Sequence, residues 1–254
     1  MICASLAGAQ TVSQGALDAD VLILGEVHDN PMHHANQADL VARTGPAALV
    51  FEMLSFDQAR AATPEARTNE GTLGAALDWE GSGWPDFAMY YPIFAAAPEA
   101  AVYGAAVPRG AIDAALTGGP AAGFGRYGDV YGLDAPLPEQ QQQRREALQL
   151  AAHCDALPAA ALPGMVSVQR LRDAALARAA LQAYADTGGP VAVITGNGHA
   201  RKDWGVPAVL AAVAPDVSVW SVGQAEEDAA PEGGFDDLLS TPAAERDDPC
   251  LAFQ

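Results

Sequence analysis

The chain has 254 residues, half of them hydrophobic, which suits one fairly large globular domain or at most two. Lysine and arginine total 13 against 32 aspartates and glutamates, a formal net charge of −19. Such a surface repels phosphate backbones and anionic lipid head groups, so nucleic acid is not expected as a partner. An anionic small ligand needs a local positive feature such as an arginine, a helix N-terminus or a metal ion.

Residues 1–9 are small and apolar and resemble the end of a secretory signal, with a cleavage point after Ala7-Gly8-Ala9. The expected organisation is therefore a signal remnant over 1–9 and a single domain over 10–254. Ile2 before Cys3 argues against lipidation there. No apolar run approaches the roughly 20 residues that span a bilayer as a helix.

Short apolar runs read as strands at 21–24, 49–52, 102–107, 191–195 and 217–222. Helical stretches alternate with them, which predicts a three-layer α/β fold: an open, mostly parallel sheet with helices on both faces. The first helix is expected from Pro31 to Arg43, with Asn30 as its N-cap and Gly45-Pro46 as its stop. Residues 85–97 read as a short aromatic helix that Pro92 kinks or ends. Glycines make 118–132 a loop or part of an inserted helical lid. Two helices follow, at about 138–156 and 164–185. The acidic, proline-bearing tail from 225 is expected to wrap the surface in extended form.

Cys154 and Cys250 stand in neither a C-x-x-C nor a zinc-finger spacing. In an exported protein such a pair is more often a disulfide, here pinning the tail to the middle of the chain. The alternative is two unrelated thiols.

Two strands end in Gly-x-x-His: Gly25-Glu26-Val27-His28 and Gly196-Asn197-Gly198-His199. In open α/β sheets ligands bind beyond the carboxyl ends of the strands, so two such motifs from distant parts of the chain predict one shared site. Glu26 and His28 fall at that edge, and His33 and His34 follow in the first helical turn. Glu52 closes the second strand, where a carboxylate is costly to bury unless paired or bound to a cation. It suits a metal ligand, an orienting group or a base. Asp173 is a candidate to reach one of the histidines, and Arg201 a candidate to bind an anionic group. His28, Glu52, His199 and Asp173 form the expected metal set. G-x-S-x-G, P-loop and H-E-x-x-H signatures do not occur in the sequence, so nucleotide binding is not expected.

At these residues the chain resembles the ChaN-like haem-binding proteins, a branch of the wider Tiki and erythromycin-esterase superfamily. The matching pieces are residues 24–31 with His33-His34, Phe51-Glu52-Met53, Trp84 through Phe94, residues 169–173, Thr195 through His199, and Gly205-Val206-Pro207. The resemblance implies an exported, envelope-associated protein of the periplasm or outer membrane that handles haem iron. It implies a pocket completed by homodimerisation and a tyrosine as iron ligand. By position that tyrosine is Tyr90, with Tyr91 second. His33, His34 and Arg201 are then candidates for the haem periphery. A tyrosine hydroxyl serves as a haem ligand in its phenolate form. The superfamily also supplies a rival reading, a hydrolase with or without a divalent metal, whose centre is Glu26, His28, Glu52 and His199.

Overall fold

The computed structural model describes residues 11–248, 250 and 251, so the expected signal remnant lies outside the described residues. Among the described residues six strands form one sheet: β1 (Val21–Leu24), β2 (Ala48–Phe51), β3 (Ala101–Gly104), β4 (Val191–Ile194), β5 (Val219–Glu226) and β6 (Asp237–Thr241). Their order is β3-β2-β4-β1-β5-β6, and every pairing between them is parallel. Parallel neighbours require crossovers, which helices supply on both faces for β1 to β5, while a loop over 227–236 makes the one from β5 to β6. The α/β class expected from the alternation of elements is the observed one.

The two-residue period of the strands assigns each side chain to a layer. Leu22, Leu24, Leu49, Phe51, Ala192 and Ile194 face one core, shared with buried residues of helices Pro31–Thr44 and Phe87–Ala96. Val21, Ile23, Ala48, Val50, Val191 and Val193 face the other, shared with helices Leu162–Thr187 and Val206–Val213. The first helix keeps its predicted start: the Asn30 side chain accepts from the Met32 amide at 3.0 Å, and Pro31 occupies the first turn. Gly45 ends it in the left-handed region at φ 54°.

Three expectations change. Of the two effects expected of Pro92, a kink or an end, the end does not occur: helix Phe87–Ala96 runs through it, and Ile93 and Phe94, both fully buried, hold the turn that the proline leaves short of a hydrogen bond. The first part of the 118–132 loop is helical, with Arg109–Gly118 and Pro120–Phe124 packed on Leu171 and Ala174. The tail does not merely wrap the surface, because Asp237–Thr241 adds a sixth strand beside β5. Cys154 and Cys250 are joined as a disulfide, as expected, across a separation of 96 residues.

Register positions the site. Leu24, Ile194 and Phe51 lie side by side across β1, β4 and β2. The residues that follow them, Gly25 and Glu26, Thr195 and Gly196, and Glu52, therefore emerge together at the carboxyl edge.

Candidate functional site

Gly25 makes the first turn. A Cβ there would lie 2.4 Å from Asn197 Oδ1, the oxygen that accepts from the Gln224 amide and ties the second motif to β5. The bare glycine lets both motifs close against one another. The backbone then delivers Glu26 inward, 2 % exposed. Its Oε1 accepts from His28 Nδ1 at 2.7 Å and from the Tyr90 hydroxyl at 3.0 Å, while Oε2 accepts from Gln37 Nε2 at 2.7 Å. Three donors satisfy a buried carboxylate that would otherwise be costly.

His28 is the outward member of this group, its side chain 35 % exposed. Its ring meets the edge of Trp84 at a centroid distance of 4.9 Å. Nδ1 is committed to Glu26, which fixes the tautomer and leaves Nε2 on the side of Gly196, where a Cβ would come within 3.0 Å of it. Burial opposes the charged ring, but the hydrogen bond and charge of Glu26 outweigh it and raise the pKa of His28.

The second motif builds a buried row. Asp173 Oδ1 lies 2.6 Å from His199 Nδ1, and His199 Nε2 faces Glu52 Oε1 at 3.5 Å. Glu52 Oε2 accepts from the Thr195 hydroxyl at 2.6 Å and the Gly196 amide at 3.0 Å. Burial alone would lower the pKa of His199; the carboxylates of Glu52 and Asp173 reverse the sign and raise it. For Glu52, burial is outweighed by His199, His28 and the two donors from the second motif, so its pKa is lowered and it remains a carboxylate. Beside Glu52 a cleft of about 190 Å³ opens, walled by Trp84, Arg172, Leu176 and Ala105.

Glu26, His28, Glu52, His199 and Asp173 are thus brought together at the predicted edge. They do not form the expected metal set: His28 is bonded to Glu26 and His199 to Asp173, and among the described residues no three His, Cys, Asp or Glu side chains are arranged to hold a metal ion.

The residues assigned to the haem periphery are elsewhere or inward. Tyr90 is fully buried, its hydroxyl given to Glu26, and burial together with the negative charge of Glu26 pushes its pKa upward. A phenolate ligand at that position would require the opposite. Tyr91 donates to the carbonyl of Arg67. His33 and His34 are fully buried and structural: His33 Nδ1 accepts from the Val27 amide, and His34 Nε2 donates to the carbonyl of His28, each at 2.9 Å. Arg201 is spent on Asp203 at 2.6 and 2.8 Å and stacks on Trp204 at 3.8 Å.

Sequence reasoning missed Gln37 and Arg172. Gln37 had a signal, since it shares the buried ridge of its helix with His33 and Val41 at four-residue spacing. Arg172 had none, because reaching the Glu52 cleft depends on how helix Leu162–Thr187 packs.

Residues 12–210 match the family described as haem-binding uptake, Tiki superfamily, ChaN. No curated protein matches the chain. Among solved structures it is similar to ChaN of Campylobacter jejuni, described by its cofacial haem binding: TM-score 0.63, 17 % identity, 84 % of each chain covered. At that identity the likeness concerns the fold. The type III effector HopBA1 matches at TM-score 0.49 and 12 % identity over 90 % of each chain, too weakly to carry an argument. With well over half of its length matched, the chain belongs to the ChaN haem-binding uptake family of the Tiki superfamily.

Proposed function

We propose that this chain binds haem at the carboxyl edge of the sheet, that His28 rather than Tyr90 is the side chain offered to iron, and that the protein works outside the cytoplasm. The observation that carries the reading is the partly exposed His28 ring against Trp84, with Nδ1 held on Glu26 and Nε2 left on the side of Gly196. A histidine anchored on a carboxylate through one nitrogen is a well-oriented, basic donor through the other. Haem, when bound, supplies the iron; the protein supplies orientation and an apolar flank. Tyr90 then serves as the post that holds Glu26. The disulfide supports an oxidising compartment, in keeping with export to the bacterial envelope.

The cleft beside Glu52, at about 190 Å³, is below the roughly 300–1,000 Å³ of pockets that enclose organic ligands. A porphyrin there lies over the edge instead of inside it, which favours a second copy of the chain as its cover. The test is a haem titration followed in the Soret region. A saturable band is expected in the wild type and in Tyr90→Phe, with loss or a clear shift in His28→Ala. A band abolished by Tyr90→Phe and untouched by His28→Ala would return the role to the tyrosine.

A second reading, hydrolysis at the same edge, is favoured by one observation. The Asp173–His199–Glu52 row is an oriented acid–base array that ligation by a single side chain does not require. Ester turnover lost in both His199→Ala and Glu52→Gln, with haem binding retained, would select it.

A further inference from the structure

A cavity of about 650 Å³ shares Trp84 with the Glu52 cleft. It opens between helix Glu70–Ala76 and the start of helix Phe87–Ala96, and its volume is that of a pocket for an organic ligand. The first of these helices keeps it open. Gly71, Gly74 and Ala75 line it at the i, i+3, i+4 spacing of one helix face, so nothing larger than a methyl group enters from there. Glycine is a poor helix former, and two in a seven-residue helix need a reason. Gly74 has one in packing, because a Cβ there would lie 3.0 Å from the Phe87 ring. Gly71 has none: a Cβ would meet only Asn69 Oδ1, at an ordinary 3.4 Å. What its bare position provides is room.

The rest of the lining is of two kinds. Trp79, Trp84 and Phe87 make an aromatic wall, with the Trp79 and Phe87 rings 5.1 Å apart. The Trp79 indole N–H donates to the Pro85 carbonyl at 2.7 Å, which leaves its ring, not a donor, for a ligand. Glu70, Asp78, Glu80 and Asp86 supply four carboxylates, and no lysine, arginine or histidine is among the lining residues. None of the four forms an ion pair among the described residues. Asp86 is partly committed, accepting from the Ala88 amide at 3.0 Å.

On a chain of net charge −19 acids alone select nothing. Here they surround a hollow walled by rings, and a cation gains from both, since the face of an aromatic ring carries negative charge. Among the described residues no three carboxylates converge as a metal ion requires, so the cation selected is one that also has apolar surface to bury. We propose that this cavity binds an organic ammonium ion, with its charge among Glu70, Asp78 and Glu80 and its methyl or methylene groups on the aromatic wall. The Trp84 ring also meets His28, so the ligand rests beside the carboxyl-edge site without entering it. Haem, anionic through its propionates, has the wrong charge for this cavity, and the proposal stands or falls apart from the haem reading.

The test is calorimetric titration of the full chain with choline at about 0.15 M salt, where screening within about 8 Å suppresses the general pull of an acidic surface. Saturable one-site binding is expected, unchanged in His28→Ala. The neutral isostere 3,3-dimethylbutan-1-ol, with carbon in place of the charged nitrogen, should bind at least about tenfold more weakly. Benzyltrimethylammonium, with a larger apolar body, should bind more tightly than choline. Asp78→Asn with Glu80→Gln should weaken choline by about tenfold, and asparagine tolerates the left-handed backbone at 78, φ 48°. The same neutralisation of Asp129 and Asp216, exposed acids outside the cavity, should change nothing. Gly71→Leu fills the cavity and favours the helix, so it should abolish binding; circular dichroism and the melting temperature check its fold, and Ala75→Leu is the second filling variant. Equal affinity for the alcohol, undiminished binding in both filling variants, an equal loss on neutralising Asp129 and Asp216, displacement by equimolar Ca²⁺, or no saturable heat overturns the proposal.

Discussion

A single hydroxyl separates the two roles open to Tyr90. As a ligand it would need to be exposed and acidic; here it is fully buried and donates to Glu26. Tyr90→Phe should destabilise the fold by about 1.5–3 kcal/mol, the range for losing one buried hydrogen bond to a charged acceptor. His199 makes a second prediction. Its pKa lies above the unfolded value of 6.5 because two carboxylates flank it, and His28 shifts the same way. Between 6.5 and the folded pKa the native state therefore holds more protons than the unfolded one. The stabilisation is complete below 6.5 and is lost as pH rises through the folded value. Denaturant unfolding across pH 6 to 9 should show stability declining, with a shallower decline in Asp173→Asn; a flat wild-type profile refutes the assignment. His33, whose pKa is lowered by burial, acts only below 6.5 and does not obscure that window.

Elements made the site legible to different degrees. The two Gly-x-x-His motifs could be read because each follows an apolar run, and parallel strands carry their carboxyl ends to one edge. Glu52 was legible for the same reason. Tyr90 was named by its position in the family resemblance, and the direction in which its helix turns the hydroxyl, here to Glu26, is not legible in sequence. Strand β6 was hidden: Asp237-Leu238-Leu239-Ser240-Thr241 sits in an acidic stretch, and only pairing with β5 makes it a strand. The tail beyond it carries its own prediction. Arg246 bonds both oxygens of Asp29 at 2.7 and 2.8 Å and both of Glu226 at 2.6 and 2.7 Å, fastening the tail to the loop that bears His28. The Arg246 side chain, with help from the Ala244 amide and Asn30, holds Glu226 at a pKa of about 2. Because that pKa is depressed, its stabilising effect is present above the unfolded value of 4.5 and fades as pH falls toward 2. In Arg246→Ala the Glu226 titration, followed by carboxyl NMR, should move up toward 4.5. Hydrogen exchange should quicken over 26–30. An unmoved Glu226 would mean that Arg246 does not fasten the tail in solution.

At the scale of the molecule, the charge of −19 and the proposed ligand pull in opposite directions. Haem carries two propionates, so approach from a distance is repelled by the surface as a whole, while Arg60, Arg172 and Arg178 act only close in. Salt distinguishes these ranges: the screening length falls from about 30 Å at 0.01 M to about 8 Å at 0.15 M. Over that interval most of the long-range repulsion is removed, whereas contacts close to a partly apolar surface are screened less. The haem association rate measured by stopped flow should therefore rise, by roughly severalfold, as salt is added. Dissociation should change little. A rate that falls with salt would place the arginines in control from long range, and their reversal to glutamate should then remove the salt dependence. A rate that rises in the wild type and rises more steeply in the arginine variants identifies the acidic surface as the gate and the arginines as the local attraction that acts against it.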